Sequence, residues 1–399
     1  MLRPVHWRVG TVTRRRGSWG DAIEYAVRLP PGDGAVAEVV PSGPVAEQVP
    51  VPEEVRALGY RSLVGELEAG DTVILNVSAL ARGLGTGGYA FIVVAPDRLP
   101  EDPAPGPGHI VKARYTPMQQ MTLAVDEQES PHHEALASGA AAAGDLQGLP
   151  VVVADLHSAL APILCGLRDR APGARVAYVM TDGGALPMAF SQNVARLREA
   201  GWLTSTVTVG QAFGGDHEAV TLHSGLLAAR HVLGVDVAVV IQGPGNVGTG
   251  TPFGYTGIAC GEALNAVSVL GGRAYAALRV SDADPRPRHY GISHHSVTAY
   301  GRIALGRTTV VVPELPGEFG SLVRAQAAEL VAGARGDLTL QVESVEGLRA
   351  ALEASPVTLS TMGRRLDADE AYFLSQAAAG RAVARVVPGP PRGTSASSS

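Results

Sequence analysis

The sequence predicts an α/β protein, with a doubly wound, mostly parallel sheet and a small N-terminal β-barrel-like domain. Two patterns predict this fold class. From about residue 150 onward, short apolar strands alternate with helical segments, which is typical of a parallel sheet covered by helices on both faces. Before about residue 95, short β-rich segments follow one another with turn residues between them and without a strong helical pattern, which is typical of a small barrel.

The N-terminal domain is predicted to comprise residues 1–95. Its β-rich segments read, in order, WRVGTVTRRRG, AIEYAVRL, AVAEVVP, DTVILNVSAL and YAFIVVA. In the second of these, Ile23, Tyr25 and Val27 share one face, because successive side chains of a strand point to opposite faces. The proline-rich stretch APDRLPEDPAPGPG then marks a domain boundary, and residues 96–149 are predicted to be a linker and a connecting helix.

The second domain is predicted to comprise residues 150–387, with a Rossmann-like alternation of strands and helices. Its main strands are predicted at residues 151–156, 175–181, 205–210, 235–242, 274–280 and 308–315. Helical patterns such as AFSQNVARLREAG and EAVTLHSGLLAARHVLG lie between them, and two further helices bracket the short strand DLTLQV. Residues 388–399, with the sequence PGPPRGTSASSS, are predicted to be a disordered tail.

Composition and charge narrow the classes of function. The chain has 399 residues, of which 18% are charged, and its net charge of −6 argues against nucleic acid as a partner. No uncharged run approaches transmembrane length and the N-terminus lacks the apolar core of a signal peptide, so we expect a cytoplasmic protein without membrane contact. Lys112 is the only lysine in the chain. The expected partner is a small-molecule anionic ligand, for which the loops described below argue, and the chain is compatible with a homo-oligomer.

The sequence places polar residues after several predicted strands, at the carboxyl edge of the sheet, where ligands bind in folds of this class. Asp155 and His157 follow the first strand of the domain, and Asp182 follows the second. Longer loops, at residues 242–251 and 282–295, follow the fourth and fifth strands. Because Asp155 and His157 are two residues apart at a strand end, we expect them to face the same way. The candidate acid and base groups of a catalytic site are therefore Asp155, His157, Asp182 and His295.

A glycine-rich loop follows the fourth predicted strand, where residues 243–248 read GPGNVG and match G-x-G-x-x-G. One interpretation is a dinucleotide site in which Asp282 binds the ribose. Asp282, however, lies 34 residues beyond the last glycine, whereas the fingerprint requires about 20. A P-loop is excluded, because Thr249 stands where that motif requires lysine.

The same loop also fits an anion site or a plain structural turn, and the sequence leaves both open. Free backbone N–H groups before a helix suit a phosphate or carboxylate, and two threonine hydroxyls would add donors. We expect Pro252 to be the first helical residue and Thr251 to be its N-cap. We also expect all three glycines to be required where the strand and the helix approach each other. The candidate cofactor-binding residues are Gly243, Gly245, Asn246, Gly248, Thr249, Thr251 and Asp282, and the cofactor itself is unknown.

Histidines and carboxylates are frequent in the loop at residues 282–295, and their convergence on a metal ion has to be considered. No H-x-x-x-H or H-E-x-x-H spacing occurs in the chain. The sequence therefore predicts no metal site, and hydrogen-bonded polar groups around an organic ligand are favoured instead. No G-x-S-x-G motif occurs either, which disfavours a serine hydrolase.

Several separated motifs resemble one protein family. They are MTDGGALPMAFS, GQAFGGDHEAVTLHSGL, QGPGNVGTGTPFGYTG, ISHHS and, at residues 360–381, STMGRRLDADEAYFLSQAAAGR. Together they resemble a bacterial family with no assigned activity, that of the domain of unknown function 3866. The resemblance covers most of the chain and implies no catalytic residues, so the function has to be argued from the residues themselves. In the last motif, Arg364 and Arg365 precede an acidic helix start, either as cationic groups over the site or as part of a solvated helix end.

These observations together predict an enzyme that acts on a small anionic or phosphorylated metabolite at the carboxyl ends of the strands. Several ionisable groups on one edge favour an enzyme, because a binding protein needs fewer of them. One alternative is a non-catalytic ligand-binding or regulatory protein, in which the barrel contacts a partner. A further alternative is an NAD(P)-binding oxidoreductase.

Overall fold

The computed structural model describes residues 5–30, 52–84 and 87–387. The chain divides into two units, Met1–Gly106 and Pro107–Ser399. The predicted strand AVAEVVP and the predicted tail at residues 388–399 lie outside the described residues. Residues 107–149, which the sequence suggests as part of a linker, belong to the second unit.

The first unit contains a closed five-stranded barrel, which confirms the predicted N-terminal barrel. Its elements are β1 (Trp7–Trp19), β2 (Ala22–Arg28), β3 (Glu54–Tyr60), α1 (Arg61–Val64), β4 (Thr72–Asn76) and β5 (Ala90–Val94). The strand order is β1-β2-β3-β5-β4. The register of β1 against β2 shifts twice, and such irregularities bend a strand, which lets β1 pair with β4 as well. Ile23, Tyr25 and Val27 are buried in the barrel core, as their alternation predicts.

The second unit contains an eight-stranded parallel sheet and three antiparallel strand pairs. Its strands are β6 (Ile110–Lys112), β7 (Gln120–Thr122), β8 (Pro150–Val153), β9 (Val176–Thr181), β10 (Ser205–Thr208), β11 (His217–Glu218), β12 (Val237–Gln242), β13 (Arg273–Ala277), β14 (Val280–Ser281), β15 (Gly291–Ile292), β16 (Thr308–Glu314), β17 (Leu338–Ser344), β18 (Ser360–Thr361) and β19 (Arg364–Arg365). The sheet order is β11-β10-β9-β12-β8-β13-β16-β17, and the pairs are β6-β7, β14-β15 and β18-β19. All six predicted main strands are present in the sheet, which confirms the α/β class.

Helices cover both faces of this sheet. They are α2 (His133–Ala137), α3 (Gly139–Ala142), α4 (Leu160–Arg170), α5 (Gln192–Glu199), α6 (Leu222–His231), α7 (Ala259–Val269), α8 (His294–Thr298), α9 (Gly317–Ala332), α10 (Leu348–Glu353) and α11 (Glu370–Ala384). Helices α4, α10 and α11 pack together on one face, and α6, α7 and α9 pack on the other. A strand such as β12, which is buried along its whole length and apolar up to its last residue, Gln242, needs such cover on both sides. No helix in the described part of the chain combines the length and apolarity needed to cross a membrane.

Two glycines allow α4 and α11 to approach backbone to backbone. A Cβ atom on Gly166 would overlap the carbonyl oxygen of Ala377, and one on Gly380 would overlap the carbonyl oxygen of Ile163. Almost every residue of α11 is buried, so this helix forms the centre of one layer rather than a surface element. Because protein interiors are close-packed, the two helices have no room to separate for a larger side chain.

The only lysine of the chain is fully buried at the end of β6. The Nζ atom of Lys112 donates hydrogen bonds to the carbonyl oxygens of Ala212 (3.0 Å) and Ala219 (2.8 Å). It also lies 3.5 Å from Oε2 of Glu218. Burial lowers the pKa of Lys112, and the neighbouring Glu218 carboxylate opposes that shift. These contacts hold the β6-β7 hairpin against the region that follows β10, so residues 107–149 are part of the folded unit.

The strand order places a topological switch at the centre of the sheet. From β8 the chain passes through α4 to β9 on one side, whereas from β12 it passes through α7 to β13 on the other side. Connections that leave neighbouring strands in opposite directions open a crevice beyond their carboxyl ends, and ligands bind there in folds of this kind. Residues 154–159, 243–258 and 278–295 form the loops at this crevice.

Candidate functional site

A pocket of about 120 Å³ lies at this crevice. Its charged and aromatic lining consists of Arg279, Arg286, Arg288, His289, His294 and His295. The glycine-rich loop contributes residues 246–248 and Gly250, and Met362 completes the wall. The pocket therefore combines arginine side chains, imidazole rings and backbone amides on a small surface.

Arg279 is a buried cation held between two carboxylates. It follows β13, and its side chain is only 5% exposed. One terminal nitrogen lies 3.8 Å from Oδ2 of Asp155, and the other lies 3.8 Å from Oδ2 of Asp284. A buried charge is tolerated only when it is compensated in this way. The two carboxylates therefore fix the position of the Arg279 guanidinium at the base of the pocket.

Asp284 is the carboxylate that organises the arginines of the neighbouring loop. It accepts two hydrogen bonds from the guanidinium of Arg286, at 2.9 and 2.8 Å, and it lies 3.5 Å from Arg364. The hydrogen bonds from Arg286 hold the pKa of Asp284 well below its usual range. Arg364 also pairs with Asp369 at 2.8 Å, so its charge is compensated rather than directed at solvent. Of the two adjacent arginines in the last family motif, Arg364 and Arg365, Arg364 thus lies close to the site.

Asp155 and His295, both predicted as site residues, come together in the structure. Oδ2 of Asp155 lies 3.8 Å from Nδ1 of His295, and the His295 nitrogen also receives a hydrogen bond from Arg279 at 3.3 Å. Oδ2 of Asp155 is buried and has no hydrogen-bond partner among the described residues. The ring of His295 stacks on Tyr255, with 3.8 Å between centroids and 3° between planes. This stacking fixes the orientation of the imidazole ring.

Two more histidines complete the cluster. The ring of His289 lies 4.9 Å from that of His294 and 5.1 Å from that of His295, measured between centroids. Nδ1 of His289 is hydrogen-bonded to Oγ of Ser293 at 2.7 Å, and Nε2 of His294 is buried with no partner in the described chain. Burial, followed by nearby positive charges, lowers the pKa of His289 to about 3 and that of His294 to about 4. Both imidazoles are therefore neutral near pH 7.

His157, another predicted site residue, contacts a different set of groups. Strand β8 ends at Val153, and His157 begins a short 3₁₀ turn rather than continuing the strand. Its nitrogens are hydrogen-bonded to the hydroxyls of Tyr178 (3.1 Å) and Ser191 (2.7 Å). The expectation that Asp155 and His157 face the same way is therefore wrong. Burial lowers the pKa of His157 to about 4, so it is a neutral bridge between β9 and the N-cap of α5.

Asp182 and Asp282 do not line the pocket. Oδ2 of Asp182 accepts a hydrogen bond from the backbone N–H of Gln211 at 2.8 Å and so holds the turn after β10. Asp282 is exposed, whereas its neighbour Asp284 is the buried carboxylate. Their roles as acid or base and as ribose ligand remain sequence-based predictions without support from their positions.

The glycine-rich loop folds back on itself before the next helix begins. The N–H of Thr249 donates to the carbonyl of Gly254 at 2.7 Å, and the hydroxyl of Thr249 bonds to the same carbonyl and to the hydroxyl of Thr251. Helix α7 begins at Ala259, after a 3₁₀ turn at Thr256–Ile258. The expectation that Thr251 caps a helix starting at Pro252 is therefore wrong, and the threonine hydroxyls serve the loop itself.

Other groups of this loop remain available to a ligand. The backbone N–H groups of Asn246 and Gly248 bond to no other group in the described residues, and both residues line the pocket. The Asn246 side chain accepts hydrogen bonds from the hydroxyl of Thr256 and the N–H of Gly257, which fixes the loop above the helix start. Free amide donors at a glycine-rich loop suit an anion. The glycines do not open a helix, however, so the geometry of a dinucleotide fingerprint is not met.

The sequence analysis missed Arg279, Arg286, Arg288, His289 and His294 as site residues. Arg279 ends the pattern AYAALRV, where it reads as a strand residue. The sequence did contain one signal for these residues, a high local density of basic side chains. Six of the 17 residues from Arg279 to His295 are arginine or histidine. Such density beyond a strand end would have identified the pocket better than any single histidine did.

The comparisons with known proteins define the class of this chain. A family model described as Protein of unknown function (DUF3866) matches residues 56–380. The chain therefore belongs to this family, as its motifs indicate. No curated protein matches the chain. The match begins within β3 of the barrel and includes the whole pocket, so the site lies within the region that matches the family.

Proposed function

We propose that the protein is an enzyme that acts on a small anionic or phosphorylated metabolite, bound in the pocket formed by Arg279, Arg286, Arg288 and the three histidines. One observation carries this proposal: three arginines and three imidazoles line the same small pocket at the carboxyl ends of the strands. Arginine binds phosphate and carboxylate groups through charge-assisted hydrogen bonds, and imidazole is the commonest acid and base in enzymes.

Arg288 is the arginine best placed to bind the anion directly. The charge of Arg279 is compensated by Asp155 and Asp284, and that of Arg286 by Asp284. Arg288 lines the pocket, is exposed, and forms no ion pair with any described residue. Its charge is therefore available to a ligand, and Asn246 and Gly248, whose N–H groups are unbonded among the described residues, line the same pocket.

The size of the pocket indicates how much of the ligand it holds. A drug-sized ligand needs a pocket of roughly 300–1,000 Å³. A volume of about 120 Å³ instead fits one phosphate or carboxylate group, with the rest of the metabolite outside. A larger hollow of about 330 Å³ lies against α9, but its lining carries one arginine, one glutamate and no histidine, which gives it no comparable chemistry.

His294 is the best candidate for proton transfer. Its imidazole is neutral and its Nε2 atom is unbonded, so it can accept a proton from a bound group. A bound anion would raise the pKa of His294 from about 4 toward the neutral range, because a nearby negative charge favours the imidazolium form. Ligand binding would thereby tune the base for catalysis.

The proposal is tested by measuring binding of inorganic phosphate calorimetrically and by screening phosphate monoesters and small carboxylates for turnover. Arg288→Gln is expected to weaken phosphate binding about tenfold or more, the value of one charge-assisted hydrogen bond. Arg196→Gln, a change at an exposed arginine on α5, is the matched control and should bind as the wild type does. Equal binding by the two variants, or no anion binding by the wild type, would refute the proposal. Binding without any turnover would favour the non-catalytic alternative.

A further inference from the structure

We propose that His289, His294 and His295 form a binding site for a divalent transition metal ion of the zinc class. One possible ligand atom from each of the three side chains lies within 4.8 Å of the other two. Zinc bound tetrahedrally by histidines requires metal–nitrogen distances of about 2.0–2.1 Å, hence nitrogens roughly 3.4 Å apart. Because stacking on Tyr255 fixes the His295 ring, small rotations of the His289 and His294 side chains are what would convert the observed cluster into a three-histidine site with one open position.

The hydrogen bonds of the cluster leave ligand atoms available. Nδ1 of His289 is engaged by Ser293, which leaves Nε2 of that ring for a metal. Nε2 of His294 is buried and unbonded in the described chain, although buried polar atoms nearly always have a partner. A metal ion at the cluster would supply that partner, and Nε2 of His294 would then be a metal ligand instead of the proton acceptor of the proposed function.

A second set of groups is placed to support the ligands. Metal-bound histidines usually donate their other ring N–H to a carboxylate or hydroxyl, which orients the ring. Oδ2 of Asp155 lies 3.8 Å from Nδ1 of His295 and lacks a hydrogen-bond partner within the described residues. Ser293 provides the equivalent contact for His289. A bound cation accounts directly for the unbonded nitrogen of His294. Nδ1 of His295 accepts a hydrogen bond from Arg279, so it has to release that bond before it can donate to Asp155.

The nearby arginines do not exclude a cation here. The charges of Arg279 and Arg286 are compensated by Asp155 and Asp284, so Arg288 is the uncompensated positive charge of the pocket. An anion bound between the metal and Arg288 would neutralise both. The spacing of the histidines in the sequence predicted no metal site. Their contact depends on the 3₁₀ turn at Pro287–His289 and on the β14-β15 pair, which return the chain to the start of α8 and which no spacing motif shows.

The test measures metal directly and needs no turnover, so it is independent of the proposed enzyme activity. Chelator-treated full-length protein is titrated with Co²⁺, whose visible absorption reports low-coordinate binding, and zinc content is measured by elemental analysis. We expect about one metal ion per chain in the wild type. His289→Gln and His294→Gln should each weaken Co²⁺ binding by at least about tenfold. His223→Gln, a change at an exposed histidine on α6, should leave it unchanged.

Two results would overturn the proposal: stoichiometric binding that survives both pocket variants, or no binding by the wild type. If the pocket variants fail to fold, X-ray absorption spectroscopy of the zinc-loaded wild type decides, because three imidazole ligands are expected and a shell of oxygen ligands alone contradicts the site. Phosphate binding that depends on Arg288 while no metal binds would leave the proposed function standing and remove the metal site.

Discussion

At the scale of single residues, the one lysine of the chain occupies a position that arginine does not fit. The ammonium group of Lys112 is compact and directs its donors to the carbonyls of Ala212 and Ala219 and toward Glu218. Arginine presents a larger, planar group with donors in a fixed fork. All other basic positions of the sequence are arginine, so this buried site is where the difference between the two side chains matters most.

We therefore expect Lys112→Arg to lower the free energy of unfolding of the second unit by about 2 kcal/mol, through overpacking and misdirected donors. Lys112→Met should cost about 3 kcal/mol, because it leaves two carbonyls and a carboxylate buried without their cation. Urea unfolding followed by circular dichroism measures both. Arg114→Lys, a change at an exposed neighbour, is the control. A Lys112→Arg variant as stable as the wild type would contradict this account.

The three glycines of the GPGNVG motif differ in what requires them. A Cβ atom on Gly243 would overlap the carbonyl oxygen of Ala185, and Gly245 has a φ of 105°, which disfavours other residues. A Cβ on Gly248 would only reach ordinary contact with Tyr255, at 3.4 Å. The expectation that all three are needed at a strand–helix approach is therefore wrong, since the close approach is made by one glycine and to a neighbouring loop.

This difference predicts unequal effects of the same substitution. Gly243→Ala should destabilise the protein by about 1–3 kcal/mol, because the Ala185 backbone has to move. Gly248→Ala should change stability by less than about 0.5 kcal/mol. Thermal unfolding of the two variants side by side provides the measurement. Equal losses in both would show that the loop is constrained in a way that these contacts do not explain.

At the scale of elements, the sequence predicted what is encoded locally. The apolar runs of β8, β9 and β12 are continuous, so their strands and their burial on both faces could be predicted from sequence. Strand β3 was missed because its segment, EVRALGY, mixes charged and small residues. The loop after Gly248 was misassigned as a helix start because Thr-Pro is a good helix beginning, whereas its return to Gly254 depends on hydrogen bonds that no local pattern shows.

In the candidate site too, the locally encoded features could be predicted from sequence and the long-range contacts could not. Asp155 and His295 could be identified because each follows a predicted strand or loop at the carboxyl edge. The grouping of His289 with His294 and the pairing of Arg279 with Asp155 depend on chain reversals and on residues more than a hundred positions apart. Sequence therefore located the edge of the sheet that holds the site, and the structure was needed to show which side chains meet there.

The crossing of α4 and α11 gives a prediction at this scale. Because a Cβ atom on Gly380 would overlap the Ile163 carbonyl, Gly380→Ala is expected to destabilise the second unit by about 2–3 kcal/mol despite the better helix propensity of alanine. Gly333→Ala, at the exposed C-terminal end of α9, is a useful control, since a Cβ there lies 3.4 Å from a carbonyl. A stabilised Gly380→Ala variant, measured by urea unfolding, would show that the helices are farther apart than described.

At the scale of the whole molecule, several buried histidines make the second unit sensitive to acid. The pKa values of His157, His217, His289 and His294 are lowered, in each case first by burial. An unfolded chain binds protons at these positions below about pH 6.5, the usual histidine value, whereas the folded unit does not bind them until the pH is much lower. The contribution of each histidine to stability is therefore complete above about pH 6.5 and is lost as the pH falls through its pKa in the folded unit.

His157 allows this acid sensitivity to be tested without disturbing the pocket. Its pKa of about 4 corresponds to roughly 2–3 kcal/mol of stability lost between pH 6.5 and pH 4. The lowered pKa of Asp284 stabilises the folded unit throughout that window, and this contribution is lost only below about pH 4, where the unfolded carboxyl group begins to bind a proton. In His157→Gln, which stays neutral, the second unit should be less stable at pH 7.5 but lose less stability on acidification.

Hydrogen exchange of β9 and β12 at pH 7.5, 6.0 and 5.0, corrected for the intrinsic rate, measures the stability of the second unit, and the barrel strands provide an internal reference. His223→Gln should keep the wild-type slope, because that side chain is exposed. If His157→Gln lost stability with falling pH as steeply as the wild type, the folded state would bind a proton at His157 at about the same pH as the unfolded chain. The description of His157 as a neutral bridge would then be wrong.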